Sequence, residues 1–120
     1  MGAFRLSFYG GEHAVIHSSI PRVDNVGVVV DDGAFAYAGD SFALPDRQID
    51  VLAAPAGAPW MKIAETMDYV LAVAPRRVLA AHEAVLSEPG QAMSRDRLTW
   101  AVEQNGGAFL PLAPGDTVTL

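Results

Sequence analysis

Cysteine is absent from the 120 residues, which excludes disulfides and thiolate metal ligands and leaves the compartment open on that count. Basic charge is scarce as well. Lys and Arg number 8 against 14 Asp and Glu, for a formal net charge of −6. A phosphate-backbone binder needs clustered cations, and the only basic doublet is Arg76-Arg77, so nucleic acid is not an expected partner. No uninterrupted apolar run approaches the ~20 residues that cross a bilayer. The opening MGAFRLSFYGG has no basic stretch followed by a long apolar one, and Leu6 stands where a myristoylation signal needs Ser or Thr. The expectation is a cytoplasmic protein without a membrane partner. No Ser–His–Asp triad is evident, and the glycines at Gly106 form too short a stretch for a phosphate loop.

What is present is apolar. Hydrophobic residues make up 51% of the chain and charged residues 18%, which excludes a disordered tail and implies surface that a partner hides. The length suits one domain spanning 1–120, and there are no repeats or low-complexity segments.

The first half reads as strands. FRLSFYGG alternates and stops at a glycine pair, and HAVIH is β-branched, with His13, Val15 and His17 on one face. Pro21, Asp24 and Asn25 mark a turn-rich connector. Val26 to Val30, the Asp32-Gly33 turn signal and Ala34 to Ala38 predict a hairpin. Ile49 to Pro55 has the composition of a strand buried on both faces.

The second half changes period. Ile63, Met67, Val70 and Leu71 recur at helical spacing, and Pro75 ends that helix. Arg76 to His82 reads as another short strand, with His82 at its carboxyl end. Ser94 is the expected N-cap of a last helix running to Asn105, with Met93 and Leu98 as a hydrophobic staple and Gly106 at its C-terminal cap. AFLPL and DTVTL read as two closing strands around Pro114-Gly115. The pattern predicts an α+β fold, a mixed β-sheet with helices on one face and nothing evident to cover the other. Trp60 is expected to pack at the sheet–helix junction. Arg76 and Arg77 suit a helix C-terminus, where cations favour the dipole.

Three polar residues fall where strands give way to loops: His13, Asp40 and His82. His and Asp are the ligand types for Zn, Mn or Fe when Cys is missing. Spacing alone gives them no signature, and His17 and Glu83 are equally eligible. A bare carboxylate after the apolar run AFAYAG is costly unless a cap, a turn or a cation pairs with it.

The segments GGEHAVIHSSIPRVDNVG, AYAGDSF, VLAAPAGAPWMK and RRVLAAHEAVLSEPG together resemble the carboxyl-terminal half of metallo-β-lactamase-fold hydrolases. The resemblance is greatest to the branch containing ascorbate-6-phosphate lactonase-like proteins. It runs in order from about Gly10 to Gly90. It implies that His13 and His82 are metal ligands of two different sites and that Asp40 is the carboxylate bridging them, with His17 as the substitute for His13. The bridged metals would lie ~3.5–4 Å apart and hold the attacking hydroxide. The implied activity is metal-dependent hydrolysis of a lactone, ester or phosphate-type bond with Zn or Mn, and it needs no side-chain nucleophile. A single three-ligand site within one chain is the other arrangement open to these residues.

The family's HxHxDH cluster has no counterpart here, because His13, His17 and His82 are the only histidines. The family fold is an αββα sandwich of two similar lobes, and one lobe alone leaves a sheet face wet. Roughly 600 Å² of exposed apolar area would cost about 15 kcal/mol, against a typical net stability of about 5–15 kcal/mol. The expected partner is a second copy in a homodimer, or a separately encoded amino-terminal half. The competing expectation is a non-catalytic remnant that serves as a dimerisation or partner-binding module.

Overall fold

A computed structural model of the chain describes residues 3–120. Six strands cross one sheet in chain order: β1 Leu6–Tyr9, β2 Gly27–Val30, β3 Phe35–Tyr37, β4 Val51–Pro55, β5 Arg77–Ala81 and β6 Ala108–Phe109. The first three pair antiparallel, and β3 to β6 pair parallel. Helix α1, Ile63–Val73, joins β4 to β5, and α2, Glu88–Glu103, joins β5 to β6. The two helices pack on each other, α1 against β4 and α2 against β5 and β6. No described helix is long and apolar enough to cross a membrane.

The hairpin forms where Asp32-Gly33 predicted it. Gly33 has φ 123°, and a Cβ there would collide with the Gln48 carbonyl oxygen, so only glycine fits this close approach. Helix α1 stops at Ala74, which takes a left-handed φ of 51° and donates to Val70 O, before Pro75 forbids another turn.

Register places Val29, Ala36, Leu52 and Val78 side by side across β2 to β5. This row forms the core with Tyr69 and Val70 from α1 and Leu98, Ala101 and Val102 from α2. The rows on the opposite face run Leu6–Val30–Phe35–Val51–Arg77 and Phe8–Val28–Tyr37–Ala53–Leu79. No described helix covers that face. Val51 and Ala53 at its centre are buried, while Leu6 and Phe8 toward the β1 edge are 47% and 66% exposed. The helices therefore lie on one side only, as expected.

Three expectations are corrected. The segment His13–His17 is not a strand; it is irregular chain beside the isolated bridge Glu12–Asp24. Helix α2 starts seven residues before Ser94, at an N-cap formed by Ser87, whose hydroxyl accepts from Gly90 N at 3.2 Å. Pro89 and Gly90 resemble breakers, but a helix tolerates proline in its first turn, where the missing N–H has no partner to lose. Ser94 is instead 7% exposed and donates to Ala56 O at 2.9 Å, docking α2 onto the end of β4; Met93 is exposed and staples nothing. Finally, only Ala108–Phe109 of the closing segment is a strand, and DTVTL pairs with no strand. Pro111 and Pro114 withhold amide donors there.

Burial raises the phenol pKa of Tyr9, Tyr37 and Tyr69 above the ordinary tyrosine value. Tyr69 donates to Ala43 O at 2.8 Å, whereas the buried Tyr9 hydroxyl has no hydrogen-bond partner among the described residues. The two phenols are close enough to affect each other's titration, but the Tyr69 proton is committed to Ala43. Unfolded tyrosines ionise near pH 10. Above that pH the native state holds more protons than the unfolded state, so stability falls as pH rises. The expected melting temperature is insensitive to these groups below about pH 9 and falls above about pH 10. Tyr69→Phe should flatten that fall. An equally steep fall in the variant would assign it to other groups.

Candidate active site

Three adjacent parallel strands, β3, β4 and β5, end at the same edge of the sheet, the position where open parallel sheets place ligands. Asp40 follows β3, Trp60 follows β4 and His82 follows β5. His13 reaches this edge from the segment between β1 and β2.

Asp40 sits in a bend that the sequence builds with care. Gly39 has φ 71°, and the Asn25 side chain lies across the turn, its Nδ2 donating to Ala38 O at 2.9 Å and its Oδ1 accepting from Asp40 N at 3.0 Å. A Cβ on Gly39 would lie 2.5 Å from Asn25 Oδ1. Ala14 N donates to Asp40 O at 2.8 Å, which fixes the His13 segment to the same turn. The carboxylate itself stays free to point outward. Its charge adds to the burial that raises the Tyr37 phenol.

His82 leaves β5 with φ 57°, a left-handed conformation that costs a non-glycine residue roughly 1–2 kcal/mol. Its neighbour supplies the restraint. Glu83 takes a two-point ion pair from Arg95 of α2, Nη2–Oε1 at 2.6 Å and Nε–Oε2 at 3.2 Å. Gln91 donates to Glu83 O and Leu86 O at 3.1 and 3.3 Å. Glu83 is thus occupied as a structural anion, and the choice between it and its neighbours as ligands falls to His82.

His13 Nδ1 lies 2.6 Å from Ala14 O. A carbonyl only accepts, so Nδ1 carries the proton and a neutral ring leaves Nε2 bare. His17 is exposed, its Nδ1 bonded to Ser19 Oγ at 2.7 Å and to Ser19 N at 3.1 Å within its own turn. The expected shared face of His13 and His17 disappears with the strand.

The structure brings His13, Asp40 and His82 together. His13 Nε2 is 3.5 Å from Asp40 Oδ2, and His82 Nε2 is 3.3 Å from Asp40 Oδ1. One imidazole therefore faces each carboxylate oxygen. Both separations exceed the usual N–H···O range of about 2.7–3.2 Å. They match the roughly 3.3–3.5 Å between an imidazole nitrogen and a carboxylate oxygen held about 2.0–2.2 Å from one tetrahedral cation. The outward lone pair of His13, backed by a carbonyl on the other nitrogen, is the arrangement that metal-ligating histidines adopt. The donor chemistry fits divalent metals, one side at a time. As they stand, no three His, Asp or Glu side chains among the described residues form a group that could hold a metal ion, so the single three-ligand arrangement is not formed. Two donors on each side of Asp40 are half of what a cation needs.

Trp60 was expected to pack, and it does, at 8% exposed. Its neighbours were not foreseen. The indole meets His13, His82 and Phe42 edge-on, with ring centroids 5.9, 6.4 and 5.2 Å away. Nothing in the sequence singles out this contact, or the clasps made by Asn25 and Arg95, because each joins segments remote along the chain.

No family model matches the chain. Protein Rv0786c of Mycobacterium tuberculosis (strain ATCC 25618 / H37Rv) is 44% identical over 94 residues, which cover 75% of this chain and 44% of that protein. The chain thus spans less than half the length of this curated relative. Among solved structures, the chain is similar to Igni18, a novel metallo hydrolase from the hyperthermophilic archaeon Ignicoccus hospitalis KIN4/I. It superposes with a TM-score of 0.64 at 18% identity, over 96% of this chain and 52% of that one. The likeness establishes the architecture: a mixed sheet with both helices on one face, equivalent to one half of a metallo-hydrolase fold.

Proposed function

We propose that the chain is the carboxyl-terminal lobe of a metal-dependent hydrolase acting on lactone, ester or phosphate-type bonds. The observation that carries this reading is the placement of one imidazole nitrogen against each oxygen of Asp40, at distances longer than hydrogen bonds. A divalent metal such as Zn or Mn would supply Lewis acidity and a strongly nucleophilic water there. The chain's own part is to orient the donors. Asp40 offers one oxygen to each side, His13 and His82 close the flanks, and Trp60 packs edge-on against both rings. The lactonase-like branch of the metallo-β-lactamase superfamily is the finer form of this proposal.

The remaining donors would come from a second lobe seated on the open sheet face. The lengths favour an amino-terminal lobe over a second copy, since both Igni18 and the mycobacterial relative are about twice as long as the matched region. A non-catalytic, partner-binding module is the second reading. It draws support from the two-donor limit on each side of Asp40.

The test is metal uptake. Protein purified without chelator and titrated with Zn or Mn should bind metal, weakly for lack of the other donors. Asp40→Ala should abolish uptake and His17→Ala should leave it unchanged. Equal uptake by wild type and Asp40→Ala would remove Asp40 from the site and with it the hydrolase reading.

A further inference from the structure

We infer that Trp60 is the positioning residue for both imidazoles, a wedge that fixes His13 and His82 at the spacing Asp40 requires. This inference rests on the reading of His13, Asp40 and His82 as ligands.

The two rings have independent supports on the backbone side. His13 is tied to Ala14 O, and His82 is held in its left-handed turn through Glu83 and Arg95. These ties place the Cα atoms and, for His13, one ring nitrogen. They leave the planes of the imidazoles to be set from elsewhere. No hydrogen bond restrains either ring nitrogen of His82 in the described structure, whose nearest partner, Asp40 Oδ1, is at 3.3 Å. Trp60 supplies the missing restraint. Its plane stands at 78° to His13 and 85° to His82, so one indole forms an edge contact with each ring. Edge-to-face pairs of this kind favour one orientation over a free χ2 rotation.

The indole is itself immobilised. Phe42 meets it at 69° and in turn packs on Tyr69 at 5.5 Å between centroids. Tyr69 belongs to the core cluster under α1. Ring orientation at the site is therefore set from the core through Tyr69, Phe42 and Trp60. A tryptophan needed only to fill volume between sheet and helix has no reason to meet two candidate ligands edge-on.

The test compares Trp60→Leu, which keeps much of the bulk but no ring, with Trp60→Phe, which retains an aromatic edge. The first readout is the NMR signals of the histidine ring protons, which needs no metal. In Trp60→Leu the His13 and His82 signals should both shift as the indole ring current is lost, and should broaden as the rings reorient. His17 should not move, and Trp60→Phe should restore sharp signals. The second readout is Zn titration, where Trp60→Leu should lose about tenfold in affinity, the size typical of an outer-shell partner, and Trp60→Phe should recover most of it. Sharp histidine signals in Trp60→Leu, or equal losses in both variants, would reduce Trp60 to packing. If wild type binds no Zn, the ligand reading fails while the NMR comparison still decides whether Trp60 orders the rings.

Discussion

Gly39→Ala should cost the protein about 3–4 kcal/mol and disable the candidate site in the same stroke. The left-handed φ of 71° accounts for roughly 1–2 kcal/mol of that once a Cβ is present. The rest follows from Asn25. The new Cβ would lie 2.5 Å from its Oδ1, so the amide must swing away and release both Ala38 O and Asp40 N. Each lost hydrogen bond costs about 1 kcal/mol. Against a typical stability of about 5–15 kcal/mol, the melting temperature should drop by on the order of 10 °C or more. Asn25→Asp is the matched control, since it keeps the acceptor for Asp40 N and loses the donor to Ala38 O. It should destabilise less than Gly39→Ala. Equal melting temperatures for wild type and Gly39→Ala would show that the turn does not need the Asn25 clasp.

The second large effect concerns the open sheet face. Phe8→Lys should leave the fold of the isolated chain intact, because Phe8 is 66% exposed and loses little contact. Yet it should abolish association through this face. A lysine carried into an apolar sheet-to-sheet contact has no partner there, and burying an unpaired charge costs several kcal/mol. Each 1.4 kcal/mol is about tenfold in affinity, so association should weaken by two orders of magnitude or more. Sedimentation at micromolar concentration reads this directly: the isolated wild-type chain, without its second lobe, should self-associate through the open face as a substitute cover, and the variant should stay monomeric. A wild-type chain that is monomeric and well folded would show that the face tolerates water and needs no cover.

The sheet was legible where side chains alone decide. The hairpin followed from Asp32-Gly33, and β4 from an apolar run now seen buried along its full length. Helix α1 followed from Ile63, Met67 and Val70. The failures share a cause. Ser94 with Met93 and Leu98 has the local pattern of a cap and staple, but Ser87 caps α2 and Ser94 is spent on Ala56. His13–His17 alternates like a strand, but its backbone bonds run to Val23 O and Asp40 O instead of a neighbouring ladder. Local periodicity carries no information about such remote partners.

The site was less legible still. His13, Asp40 and His82 are separated by 27 and 42 residues along the sequence. What joins them is the parallel register of β3 to β5, together with Asn25, Trp60 and Arg95. Each of these acts across a long loop. Turn propensity could nominate Asn25 as a turn former, but not as the clasp on Asp40.

Two of the three converging residues follow core strands of the sheet, and the third does not. His13 rides on a stretch from Gly10 to Val26 in which almost every residue is exposed and whose anchors to the sheet edge are a few amide bonds to Asp40 and around Asn25. Such a stretch opens at a small fraction of the free energy that unfolds the strands. A cation shared by Asp40 and His13 would tie this stretch to the sheet edge, so filling that side of the carboxylate would also slow amide exchange from Gly10 to Val26.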